Sequence, residues 1–226
     1  MDLRGGRTLF NDRWKPEVKT PPPSGPQKGK HADGTRSSNG LDQFFTSLLN
    51  RENLNLLDFA GASQANINYI TNLGHRIYSD DILRSLEDAF GNGPDFLENQ
   101  ADPDRSAKFL RQSLDFPDAH FDAALVWDTL QFLSPSVLQE TVDRLHRMLR
   151  PDAHVLAFFN AEEKLTSIPV QSYRILSSKE IVLVPRGERR PALFLNNRTL
   201  EKVFQKFSSI KFFLTRDHLR EVIIKR

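Results

Sequence analysis

Between residues 41 and 160, short apolar, strand-like runs alternate with amphipathic segments of helical period, and this most constrains the fold. LDQFFTSLLNRE places Phe44, Phe45, Leu48 and Leu49 at helical spacing. NLNLLDFA reads as a strand ending at Asp58. SQANINYITNLGH reads as a helix with Ile67, Ile70 and Leu73 on one face and Gly74 just past its end. HRIYSDD is a short strand ending in two acids. DILRSLEDAF is amphipathic, GNGP breaks it, and PDRSAKFLRQS is a further helix. FDAALVWD is a strand, PSVLQETVDRLHRMLR a helix opened by proline, and HVLAFFN a strand. Such alternation predicts βαβ units with right-handed crossovers and a mostly parallel α/β sheet with helices on both faces. After a helix at RTLEKVFQKF, the stretch IKFFLTRDHLREVIIKR predicts an antiparallel hairpin on one edge. Residues 168–195 read as an insertion with short strands of its own.

The chain before residue 41 is different in kind. KPEVKTPPPSGPQKGKHADGTRSSNG is rich in Pro, Gly, Ser and Lys and buries too little apolar surface to offset its ordering entropy. The expected division is a disordered basic tail, 1–40, and one globular domain, 41–226. Residues 1–40 hold eight Lys/Arg and four Asp/Glu; of the chain's 31 and 29 this leaves 23 and 25, so the tail is +4 and the domain −2. That acidic balance argues against a broad phosphate-binding face and hence against a nucleic-acid partner. Phe10 and Trp14 make the tail a candidate for docking a protein partner. The absence of cysteine excludes disulfides, thiolate metal sites and a cysteine nucleophile. The six histidines show no metal-ligand spacing, so no metal is expected. No apolar run approaches the ~20 residues of a membrane span, and MDLRGGRTLFNDRWK has no apolar signal core. The expectation is a cytoplasmic chain with no membrane partner.

Four stretches in this order resemble the class I S-adenosylmethionine-dependent methyltransferases. LLDFAGASQAN stands where that family has an acid followed by G-x-G-x-G, with Ala60, Ala62 and Gln64 where glycines would be. HRIYSDDIL supplies acids at the end of the second strand. LDFPDAHFDAALVWDTLQFL is similar to the family segment leading into strand four. LHRMLRPDAHVLAFF is similar to L-x-x-x-L-K-P-G-G-x-L, with Asp152 and Ala153 replacing two glycines. The resemblance covers residues 41–226. It implies a Rossmann-like sheet of seven strands with an antiparallel C-terminal hairpin, S-adenosyl-L-methionine as cofactor, and methyl transfer to a small molecule that the sequence does not name.

The chemistry assigns candidate roles. Asp58, Ala60, Gly61, Ala62, Ser63 and Asn66 form the expected cofactor loop, where glycine allows close backbone approach; Asp58 also reads as a turn acid. Asp80 or Asp81 suits two vicinal ribose hydroxyls, since a carboxylate is acceptor-only, and either also reads as a helix cap. Phe116, with Phe121, is placed against the adenine. Trp127 reads as a stacking surface or as cleft lining. Asp128 reads as a general base for an acceptor that must lose a proton, or as a first-turn helix acid. The lost glycines leave a second reading open: a catalytically inactive, methyltransferase-like interaction module.

Overall fold

The computed structural model describes residues 34–215 and 217–226. The chain forms β1 (Thr35–Ser37), α1 (Asn39–Thr46), β2 (Asn55–Asp58), α2 (Gln64–Asn72), β3 (Arg76–Ser79) and α3 (Ile82–Phe90). Two 3-10 turns then lead to α4 (Pro103–Ser113), β4 (Phe121–Trp127), α5 (Pro135–Met148) and β5 (Leu149–Asn160). The last elements are β6 (Ile168–Ser177), β7 (Glu180–Arg189), α6 (Asn197–Val203), β8 (Ser209–Leu214) and β9 (Leu219–Lys225).

The central sheet has the order β3-β2-β4-β5-β9-β8. Its first four strands run parallel, and β9 joins β5 and β8 antiparallel. This is the expected α/β sheet with a C-terminal hairpin, but with six strands instead of seven. The chain between α3 and β4 offers no alternating apolar run. Gly91, Gly93 and Pro94 break it, and Asp102 and Pro103 start a helix, so this stretch makes 3-10 turns and α4. β4 is buried along its whole length, as a central strand covered on both faces must be.

The two faces are covered differently. Leu57, Ala124, Val126, Val155 and Ala157 pack against α3, α4, α5 and α6 in one apolar cluster. Leu56, Leu125, Trp127, Leu156 and Phe158 point the other way. They meet α1, α2 and a separate three-stranded sheet, β1-β7-β6, built from the inserted hairpin.

Among the described residues, strand pairing is already present at Thr35. β1 pairs with β7, and Ser38 caps α1 by accepting from the Leu41 N–H, so residues 35–40 belong to the domain. The remainder of the expected tail, residues 1–33, lies outside the described residues. Among the described residues no helix is long and apolar enough to cross a membrane.

Candidate functional site at the carboxyl ends of the strands

In an open α/β sheet, loops at the carboxyl ends of the strands form the ligand crevice where neighbouring strands lead to opposite sides. Here that place lies between β2 and β4. Asp58, the last residue of β2, is fully buried. Its carboxylate accepts from the Ala60 N–H at 3.0 Å, Asn66 Nδ2 at 2.9 Å and Trp127 Nε1 at 2.6 Å. Burial pushes this carboxyl above the ordinary range, while the three donors pull it back. Asn66 also donates to the Tyr173 carbonyl at 3.1 Å and accepts from the Ile175 N–H at 2.9 Å. One asparagine therefore clamps β6 of the inserted hairpin onto the loop after β2.

Trp127 ends β4 with φ at +53°, at a register shift against β5. A left-handed backbone is costly for a bulky residue, on the order of 1–2 kcal/mol. Asp58 holds its indole N–H, and Tyr173 stacks on its ring at 4.8 Å between centroids and 2° between planes. Asp58, Asn66 and Trp127 were expected to touch a cofactor. The structure brings them together but turns them towards one another and towards Tyr173.

The turn itself is now explained. Gly61 has φ at +78°, and a Cβ there would come within 3.0 Å of the Asp81 Cβ. Ala60 bridges to Asp81, and the Gly61 N–H donates to the Asp80 carbonyl at 3.2 Å. Ala60 and Ala62 do not take positive φ, so their methyl groups cause no backbone strain. Ser63 precedes α2 without a side-chain cap bond. Gln64 runs along the exposed surface of α2 to Asn68 Oδ1 at 2.7 Å. Ala60, Ala62–Ala65 and Ser172–Arg174 line a cleft of about 330 Å³.

The neighbouring acids divide their work. Asp81 caps α3 through the Arg84 N–H at 3.1 Å and pairs with Arg186 of β7 at 3.1 Å. The Asp80 side chain has neither a hydrogen bond nor an ion pair among the described residues. Partial burial and the Asp81 charge raise its carboxyl above the ordinary value.

Asp128 follows β4 directly and is only 2 % exposed. Among the described residues it makes no helix-cap bond, and its Oδ1 has no hydrogen-bond partner. Burial pushes its carboxyl up to about 7, opposed by the Tyr173 hydroxyl and the Gln171 N–H that face it, with Arg186 acting from farther off.

Phe116 and Phe121 are not at this end. Phe116 precedes the first residue of β4 and packs edge-on against Phe121 at 4.9 Å and Tyr78 at 6.3 Å. They sit at the amino end of the strand, where ligand loops do not gather, so the adenine-facing role is corrected to a packing role.

Sequence reasoning missed a second anchor. Glu221 of β9 is fully buried and accepts from Arg36 Nη2 at 2.7 Å, the Ser38 hydroxyl at 3.0 Å and the Gly40 N–H at 2.6 Å. A Cβ at Gly40 would lie 2.9 Å from the Glu221 Cβ, so only glycine lets α1 approach β9 so closely. The available signal was parity: Glu221 is two residues from the buried Ile223, on the same face of the strand.

Neither the family models nor the curated proteins give a match to this chain. Solved structures do. A Burkholderia thailandensis 1,6-didemethyltoxoflavin-N1-methyltransferase with bound S-adenosylhomocysteine is similar at 13% identity and TM-score 0.46, over 83% of this chain and 76% of that one. A Methanosarcina mazei SAM-dependent methyltransferase is similar at 13% identity and TM-score 0.45, over 78% and 93%. A cyclase is similar at 12% identity and TM-score 0.46, over 82% and 78%.

Proposed function

We propose that this chain is a class I methyltransferase that uses S-adenosylmethionine and acts on a small molecule. The observation that carries the reading is the gathering of the 60–65 loop, Asp80 and Asp128 at the divergence of β2 and β4, in register with the family-like motifs. The fit to the cofactor is good at the rim. The Asp80 carboxylate, unpaired among the described residues, suits vicinal hydroxyls. The uncapped first turn of α2 borders the 330 Å³ cleft and suits an anionic end group. Asp58, Asn66 and Trp127 act as positioning residues that brace the loop and the end of β4.

The bound cofactor supplies an electrophilic methyl group on a sulfonium. The chain's own residues do the rest. The Trp127–Tyr173 stack excludes water from the sheet end. Asp128, titrating near neutrality, accepts the proton that an acceptor must lose. Calorimetric titration of the full chain with S-adenosylmethionine and S-adenosylhomocysteine tests the reading. Micromolar binding is expected; a folded protein that binds neither at millimolar concentration overturns it.

One observation favours the non-catalytic alternative. Ala60 pairs directly with Asp81, and Tyr173 lies over Trp127, so the loop is tied to the neighbouring strand end and to the hairpin. Tyr173→Ala separates the two readings. In a working enzyme this change weakens cofactor binding or leaves it unchanged. If the hairpin plugs the site, the variant gains binding that the parent lacks.

A further inference from the structure

The ends of β4 and β5, the start of β6 and the β8–β9 turn enclose a second cavity, of about 220 Å³. Leu165, Ile168, Pro169, Leu183 and Leu219 give it an apolar wall. Two residues in its lining carry a buried acceptor oxygen with no hydrogen-bond partner among the described residues: Asp128 Oδ1 and Gln171 Oε1. An unmet buried acceptor destabilises the fold until a donor reaches it. Both oxygens are met by a ligand that donates hydrogen bonds. Glu162 and Asp217, also in the lining, add negative charge. Arg36, the cation in the lining, is paired with Asp217 at 3.0 Å and Glu221 at 2.7 Å, although its buried Nη1 makes no hydrogen bond among the described residues.

We infer that this cavity binds a small primary or secondary amine, its N–H groups donated to Asp128 and Gln171 and its apolar body against Leu165, Ile168 and Leu183. Binding needs only the residues of this chain. The amine's further role as methyl acceptor rests on the methyl-transfer reading.

Three probes of matched size test this on the full chain: benzylamine, benzyl alcohol and benzoate, followed by ligand-observed NMR and calorimetry. Benzylamine is expected to bind at least about tenfold more tightly than benzyl alcohol, and benzoate more weakly still, since charge-assisted hydrogen bonds are stronger than neutral ones. Asp128→Asn, nearly isosteric, is expected to lose that preference. Gln171→Glu, which adds a charge without changing shape, is expected to strengthen benzylamine binding. Equal binding of the three probes, no binding to the folded protein, or two variants with unaltered benzylamine affinity overturns the inference. Benzylamine binding without S-adenosylmethionine binding keeps the amine site and removes the methyl-transfer reading. The reverse result keeps methyl transfer and removes the amine site.

Discussion

The two faces of the central sheet are held by different physics. On one, α3 to α6 bury a continuous apolar cluster. Its attraction is non-directional, and no single group decides it. On the other, α1, α2 and the small sheet bury a second apolar cluster and are tied in addition by two buried carboxylates, each accepting three donors. Asp58 gathers the loop, α2 and β4, while Glu221 gathers β1 and α1. A buried carboxylate is tolerated only with such partners, and removing it strands every donor at once. The helical face is thus an apolar core alone, and the opposite face is an apolar cover with polar anchors beside the ligand crevice.

A matched pair of deletions gives the largest effects. Leu145→Ala on the helical face is expected to cost about 2–5 kcal/mol in urea unfolding through a cavity alone. Asp58→Ala is expected to cost about 3 kcal/mol or more, because it leaves Ala60, Asn66 and Trp127 without their acceptor. The two should differ in kind. Asp58→Ala should also change the near-ultraviolet circular dichroism of the Trp127–Tyr173 stack, whereas Leu145→Ala should leave that signal intact. An equal spectral change in both would remove the distinction between core and cover.

The pH dependence carries the next effect. Asp128 has a carboxyl raised from 3.8 to about 7. Between these values the folded chain holds a proton that the unfolded chain releases. Its contribution is therefore full below about pH 4 and is lost as pH rises through about 7. His75, His146 and His154 have depressed values and act oppositely, losing stability as pH falls below 6.5. The informative quantity is thus the difference between parent and Asp128→Asn. The parent's stability relative to the variant should fall by an amount on the order of a few kcal/mol from pH 4 to 8. A difference that stays flat would mean that Asp128 is ionised throughout.

Asn66→Ala follows, at about 2 kcal/mol. It removes the bonds to Tyr173 and Ile175 and one of the three to Asp58. Hydrogen exchange should quicken in β6 and β7 while β2, β4 and β5 keep their protection, because the hairpin is the part that Asn66 fastens. Uniform acceleration would show that cover and core open together.

The apolar elements of both faces were legible in the sequence and the polar anchors were not, for a physical reason. Helical and strand periodicity report which side of an element is apolar, and that suffices for α5, β4 and the β8–β9 hairpin. The expected seventh strand came from resemblance. Residues 41–160 contain only four strand-like runs, and the C-terminal hairpin adds two. At the site, Asp58, Asn66 and Trp127 read from the sequence as cofactor-facing residues, and the bonds they make to one another and to β6 did not show there. The indole lies 69 residues from Asp58, and the Tyr173 carbonyl 107 from Asn66. No local pattern reports pairings at such separations. Asp81 was easier, because its capping partner is three residues away, and the sequence offered that role beside ribose binding.

Arg186→Ala should produce the smallest effect and test how finely the cover is fastened. Arg186 of β7 meets Asp81 at 3.1 Å, and the two side chains are 33% and 30% exposed. Solvent screens such a pair, so its loss should cost between about 0.2 and 1 kcal/mol, less at high salt. Its place matters more than its size, because Asp81 is also the residue to which Ala60 bridges. If the small sheet is fastened independently of the crevice, Arg186→Ala changes stability slightly and ligand binding not at all. If the sheet moves when the crevice opens, the same change alters the on-rate of S-adenosylmethionine without changing its chemistry. A salt-dependent on-rate in the parent that becomes salt-independent in Arg186→Ala would identify this pair as the latch between cover and site. An on-rate equal in both proteins at low and high salt would leave Asn66 as the link between them.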